Sequence, residues 1–551
     1  MQYIDFDKTA AYGKLADIAG KGWKFDFAAR LTADRITRNQ VPMAGGLTYS
    51  WAAKSVDEPV LKLLQSLADE QELGEKYRAL LDGAVVNTGE NRKVLHHLLR
   101  GQGGVAATGR PVIHDGKDLG AFYKAELDRF SAFAKDVHAG KIKGSTGKPF
   151  TSVVQIGIGG SDLGPRALYL ALENWAAAAG KRTLRAGFIS NVDPDDASQV
   201  VSQVPLAETI FVLVSKSGIT QETLANELFV KDKLKKAGLD PGKHMVAVTS
   251  ETSPLAHNPA YLDSFYIDDF IGGRYSSTSA VGGVVLSLAF GPEVFRELLA
   301  GAHEADTLAL KPSLTENAAL LDALIGVWER NFLGYPYTAI LPYSQALSRF
   351  PAHLQQLDME SNGKRVNRDG SPVNYSTGPV VFGEPGTNGQ HSFYQLLHQG
   401  TDITPLQFVG FTDSQRGDDV TVDGSVSQTK LKANLAAQIV AFAKGNLPDF
   451  PGQKAADGSA NRSKEFPGGR PSSLIYGKQL TPAALGALLA HFENKVMFQG
   501  FVWNLNSFDQ EGVQLGKILT KKVLAAKAGG TSDDAALDAA LNAYSALLGV
   551  K

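Results

Sequence analysis

The sequence predicts an α/β protein with mainly parallel sheets flanked by helices, and three observations carry that reading. Between 118 and 299, short β-rich runs at 183–189, 210–214 and 245–249 alternate with long amphipathic segments, the pattern of βαβ units. A second alternating region from 312 to 515 holds the apolar runs 337–341 and 405–409. Two of the strand-like runs, 152–156 and 210–214, pass directly into loops rich in glycine or hydroxyls, ahead of helical pattern.

Taken in order, 1–117 reads as a helical N-terminal segment, because 58–81 has apolar residues at three- and four-residue spacing and strand pattern is sparse. Residues 118–299 then form a first α/β domain, 312–515 a second, and the Ala-rich 516–551 a helical tail broken at Gly529-Gly530. Polar, Gly- and Pro-rich stretches at 361–379 and 449–473 read as long surface loops or arms. There is no sequence-level repeat, although two similar halves are compatible with the pattern. The helix after residue 220 is expected to bury Leu224, Ala225, Leu228 and Phe229 and to keep most of its lysines in solvent.

Composition narrows the chemistry. The 551 residues are 43% hydrophobic and 20% charged, enough for two domains with large cores. With 55 basic and 57 acidic residues the net charge is -2, so no global field gathers nucleic acid or an anionic membrane, and an anion site has to be local. The absence of cysteine excludes disulfides, zinc thiolates, iron-sulfur clusters and thiol nucleophiles. The first residues carry acids where a signal peptide has bases, and no run approaches a transmembrane span, so a cytoplasmic location is expected.

The loop Ser215-Lys216-Ser217-Gly218-Ile219-Thr220 has the makings of a cradle for one phosphate monoester: three hydroxyls, a glycine, one cation and the open N–H groups of a helix starting near Thr220. It is not a Walker loop, because the lysine follows the strand by one residue and no four-residue spacer precedes it. An ordinary hydroxyl-capped turn would use the same residues. The loop 157–161, including Gly160 and Ser161, lacks the full dinucleotide fingerprint.

Other polar segments could complete a site. Arg274 follows paired glycines that would let backbone approach a ligand, and its guanidinium could fork onto an oxyanion. Gln356 and Glu360 lie in a run that ends in turn residues, and His391 stands at the start of a helix expected to pack Phe393, Leu396 and Leu397 inward. Gln510, Gln514 and Lys517 recur at helical spacing on one face, leaving Val513, Leu515 and Ile518 for packing. His96, His97 and His398 have no such setting and read as structural.

Together these segments resemble the glucose-6-phosphate isomerase family, whose members have two sugar-isomerase domains. The stretches IGGSDLGP, SKSGITQET, GGRYSSTSAVGG, QQLDMESNGK, GEPGTNGQHSFYQLLHQG and NSFDQEGVQLGK occur in order between 155 and 517. The resemblance implies aldose-ketose isomerisation of glucose 6-phosphate and fructose 6-phosphate, with no metal and no cofactor. By it, Glu360 would transfer the proton, Arg274 would stabilise the oxyanion, and His391 would open the ring, oriented by Glu222 and helped by Lys517. Ser161, Ser215, Lys216, Ser217 and Thr220 would hold phosphate, and Gly160, Gln356 and Gln510 would contact substrate. It also implies a homodimer, with the histidine supplied by the neighbouring subunit. Two departures stand out: the family usually has Lys-Thr-Phe-Thr-Thr where this chain has 216–220, and Gly where it has Leu357. Rival readings are another sugar-phosphate isomerase, acting on mannose 6-phosphate or an aminosugar phosphate, and a non-catalytic sugar-phosphate sensor.

Overall fold

A computed structural model of the chain describes residues 1–446, 459, 461–528 and 538–550. Strands β1 (Gln40–Pro42) and β2 (Thr48–Ser50) come first. They are followed by β3 (Ser152–Ile156), β4 (Arg185–Ile189), β5 (Thr209–Val214), β6 (Met245–Ser250) and β7 (Ser264–Ile267). The last large strands are β8 (Tyr337–Tyr343), β9 (Val380–Gly383), β10 (Leu406–Phe411) and β11 (Ser472–Gly477).

The first sheet has the order β7-β6-β5-β3-β4 and is parallel throughout, with Val154 opposite Phe211 in the central pair. Every residue of β3 and β5 is buried, as a strand covered on both faces requires, which is why both read as nearly continuous apolar runs. Helices Leu163–Ala178, Pro194–Ser202 and Gln221–Lys236 make the crossovers. Val154, Phe211 and Leu213 pack on Val230 and Leu234 of the last of these.

The second sheet has the order β1-β2-β11-β10-β8-β9. Its last four strands are parallel and run, from β9, in the same order as the first four strands of the other sheet run from β4. The two halves therefore share a winding that the residues do not display as a repeat. The antiparallel pair β1 and β2 extends this sheet, with Ile475 opposite Tyr49, so the N-terminal segment is not purely helical. Three-residue strands carry too little pattern to be read locally and exist because β11 offers them an edge.

Several expectations are corrected. Helix Gln221–Lys236 buries Thr223, Asn226, Glu227, Val230 and Leu234, while Leu228 is 66% exposed. Its polar inner residues have partners: Asn226 donates to the Asn191 carbonyl at 2.8 Å, and Glu227 accepts from the Tyr261 hydroxyl at 2.5 Å and pairs with Lys231. Helix Tyr394–Gln399 turns Tyr394 and Leu397 inward and leaves Leu396 exposed. In 361–379 the first two residues, Ser361 and Asn362, are fully buried rather than looped out. In 449–473, residues 449–458 and 460 lie outside the described residues, and Ser472 and Ser473 begin β11.

By its contacts the chain divides into two units, 1–507 and 508–551. The second contains helices Gln514–Ala528 and Ala539–Leu547. Among the described residues no helix is long and apolar enough to cross a membrane.

Candidate active site

In the first sheet β4 is added on one side of β3 and β5 on the other, so the winding reverses between β3 and β5. The crevice at the carboxyl ends of such strands is where doubly wound sheets bind ligands. Both singled-out loops emerge there. After β3 the backbone makes a short turn at Gly159–Ser161, held by Gln155 Nε2 donating to the Ser161 carbonyl at 2.7 Å. Gly160 is required by a close approach: a Cβ there would lie 2.0 Å from the Gly273 carbonyl oxygen and 2.8 Å from the Arg274 nitrogen. The close approach is demanded of Gly160 and not of the paired glycines before Arg274, where a Cβ would meet nothing nearer than 3.7 Å at Gly272 and 4.0 Å at Gly273.

After β5, Ser215 is buried and ties its own loop together, accepting from the Gly218 N–H at 3.1 Å and donating to Thr220 Oγ1 at 3.2 Å. Gly218 has φ of 68° and faces Ser253, whose Oγ would lie 2.1 Å from a Cβ at this position. This explains the unusual glycine: the neighbouring 253–255 turn occupies the space of a side chain. Lys216 donates to the Ile271 carbonyl at 3.1 Å, which links this loop to the Arg274 segment. Burial pulls the Lys216 ammonium below its ordinary range, and the nearby Asp269 carboxylate opposes that. Ser217 is exposed, Ser161 and Thr220 are half-buried, and Thr220 takes the cap position of helix Gln221–Lys236.

Arg274, 1% exposed, begins a buried turn, Gly273–Thr278. Its Nε donates to Ser361 Oγ at 2.6 Å, one terminal nitrogen donates to the Ser507 carbonyl at 2.6 Å, and another faces Glu360 at 3.4 Å. Glu360 ends a single wide turn, Gln356–Glu360, that continues helix Phe350–Gln355. Gln356 opens this turn with its Nε2 3.3 Å from where a Gly159 Cβ would stand, and its buried Oε1 has no protein partner. The structure thus brings Gly160, Arg274, Gln356 and Glu360 together from both halves of the chain.

Among the described residues no hydrogen bond or ion pair joins His391 or Glu222 to that group. His391 is exposed at the end of the turn Asn388–His391, and Glu222 is half-buried in the first turn of its helix; neither has a hydrogen-bond or ion-pair partner among the described residues. Gln510 and Lys517 belong to the second unit. The helix there starts at Gln514, so Gln510 precedes it rather than sharing its face, and Val513, Leu515 and Ile518 are exposed. The three histidines read as structural have structural partners: His97 Nε2 bonds the Leu81 carbonyl at 3.0 Å, His398 stacks on Phe442, and His96 stacks on Tyr275.

Two residues that position the guanidinium were missed. Ser361 receives Arg274 Nε and also bonds the Tyr275 hydroxyl at 2.9 Å, and Ser507 presents its carbonyl. A serine directly after the carboxylate of a polar run was a usable signal for Ser361. A backbone carbonyl leaves none.

Two sheets whose parallel strands share one winding, a hydroxyl-lined loop at one switch point and a buried arginine facing a carboxylate across the two halves define the class: a doubly wound α/β protein with a polar crevice built from both halves. Its family follows from comparison with known proteins: the sequence model described as Phosphoglucose isomerase matches residues 50–543, and the chain belongs to that family. It is 62% identical over 511 residues to the glucose-6-phosphate isomerase of Treponema denticola, covering 93% of this chain and 92% of that one. It is 59% identical over 531 residues to the Treponema pallidum protein of the same name, covering 96% and 97%. A glucose-6-phosphate isomerase from Chlamydia trachomatis superposes with a TM-score of 0.85 at 42% identity, over 95% of this chain and 97% of that one.

Proposed function

We propose that the protein interconverts D-glucose 6-phosphate and D-fructose 6-phosphate by ring opening and proton transfer through a cis-enediolate. The observation that carries this reading is the buried Arg274 guanidinium 3.4 Å from the Glu360 carboxylate. With the sugar open, Glu360 takes the proton from C2 of the aldose and the C1 carbonyl oxygen gathers the negative charge; the O2 hydroxyl proton passes to O1, and the same carboxyl delivers its proton to C1, leaving the carbonyl at C2. Arg274 is always charged, is removed from water and is held by fixed partners, so it stabilises that oxyanion with little reorganisation. The unpartnered Gln356 Oε1 is suited to accept from a substrate hydroxyl.

Ser161, Ser215, Lys216, Ser217 and Thr220 hold the phosphate end, in keeping with their place at the switch point. On family resemblance, Gln510 contacts substrate, Lys517 assists at the ring oxygen and His391 opens the ring with Glu222 orienting it. A homodimer in which each histidine serves the neighbouring subunit is supported by the exposure of His391. A cytoplasmic location suits a substrate that is a phosphorylated sugar.

The test is Glu360→Gln, assayed by proton exchange between substrate and solvent. Exchange falls by at least roughly 10²-fold while sugar-phosphate binding persists; turnover at the parental rate would sink the assignment.

A further inference from the structure

Glu360 is carried by the wide turn Gln356–Glu360, in which hydrogen bonds span five residues instead of four, a geometry that local propensity does not favour. Its inward-facing members are Leu357 and Asp358, of which Asp358 is 8% exposed. Asp358 lines a small, partly open cavity of about 30 Å³ with Leu354, Leu357, Lys495 and Gln499. Two acceptors of that wall, Asp358 Oδ1 and Gln499 Oε1, have no protein partner. An orphaned buried acceptor is destabilising, and two acceptors cannot satisfy one another without a donor between them. A cavity of this size accommodates about two waters.

The charged neighbours are mostly engaged elsewhere. Lys54 pairs with Glu329 at 2.9 Å, and Asp322 pairs with Lys495 and with His491, each at 3.1 Å. Lys495 also donates to Gln407 Oε1 at 3.1 Å, which leaves one of its three N–H groups for a water. Arg330, Tyr335 and Tyr337 complete the polar wall, and Arg330 Nε donates to the Thr377 carbonyl. Asp358 itself has no ion-pair partner among the described residues. Burial pushes its carboxyl up to about 7, with Lys495 opposing.

We infer that Asp358 is a positioning residue: through internal water shared with Gln499 and Lys495, it clamps the underside of the turn and sets where Glu360 stands against Arg274. The inference rests on the reading of Glu360 as the proton-transfer group. A turn unclamped on its inner side lets the carboxylate drift, and an error near 1 Å costs up to about 10²-fold in rate without touching the phosphate contacts.

The experiment compares Asp358→Ala and Asp358→Asn in turnover of fructose 6-phosphate, in proton exchange and in thermal melts at pH 5 and pH 8. Asp358→Ala lowers kcat and proton exchange together by about 10- to 100-fold with KM within about twofold. Asp358→Asn keeps the shape and an acceptor oxygen toward the bridging water, and restores kcat to within about threefold of the parent. The melts add a second readout. A carboxyl raised in the folded state favours folding below its unfolded value and loses that stability as pH rises toward 7, so the parent melts lower at pH 8 than Asp358→Asn relative to pH 5. If the alanine variant does not fold, the asparagine melts and a high-resolution crystal structure decide, with water bridging Asp358 and Gln499 expected. Parental kcat in folded Asp358→Ala, a dry cavity, or identical pH dependence of the two melts overturns the inference. Glu360→Gln run alongside separates the cases: if it stays active the base assignment fails, whereas if it is dead while Asp358→Ala is parental, only the positioning role fails.

Discussion

Gly160→Ala adds one methyl group where two loops meet. Its Cβ would lie 2.0 Å from the Gly273 carbonyl oxygen and 2.1 Å from the carbonyl carbon, against about 3.4 Å for an ordinary contact, so the loops must part by about 1.4 Å. Both clashing groups are backbone, so no rotamer change relieves them. The next residue is Arg274, whose hydrogen bonds to Ser361 and Ser507 are already at 2.6 Å and cannot follow such a shift intact. A displacement of this order at the oxyanion-stabilising group predicts a fall in kcat/KM of about 10²-fold. The assay couples glucose 6-phosphate formation to its dehydrogenase, with circular dichroism confirming fold. Gly74→Ala is the control, since nothing lies within 4 Å of its Cβ position; it leaves activity unchanged and adds up to about 1 kcal/mol to its helix. Gly160→Ala with activity within threefold of the parent would refute the argument that this contact sets the arginine.

Lys216→Ala removes the cation of the β5 loop and its bond to the Ile271 carbonyl, and raises both KM and the inhibition constant of inorganic phosphate by about 10- to 100-fold, the worth of one charged hydrogen bond; unchanged phosphate inhibition would remove this loop from the phosphate site. Arg100, fully buried, pairs with Asp306 at 2.9 Å and with Glu493, so Arg100→Leu strands two carboxylates and destabilises the fold by about 3–5 kcal/mol. Burial already pushes Glu493 up to about 7, and without the arginine its folded value rises further, so the variant is nearest the parent at pH 5 and loses stability as pH rises. Equal losses at pH 5 and pH 8 in thermal melts would contradict this.

Parallel strands buried on both faces, such as β3 and β5, were legible because their burial demands continuous apolar runs. The loops after them were legible because strand-to-helix turns that bind anions draw on a short menu of glycine, serine, threonine and lysine. Less legible was the inner face of helix Gln221–Lys236, where Asn226 and Glu227 point inward because partners from distant segments satisfy them. Hydrophobic periodicity assumes polar residues face water, and it fails where a buried partner replaces water.

The sequence by itself determined the α/β class, the candidate residues and the family resemblance, since these depend on residue type and near-neighbour spacing. The tertiary structure decided the common winding of the two sheets, the fitting of β1 and β2 onto β11, and the apposition of Gly160 to Gly273. It also decided that Arg274 meets a carboxylate 86 positions away and that the buried Asp358 faces a small cavity. Those facts join segments far apart along the chain, and no local pattern encodes a contact whose energy is released only when both segments are already folded.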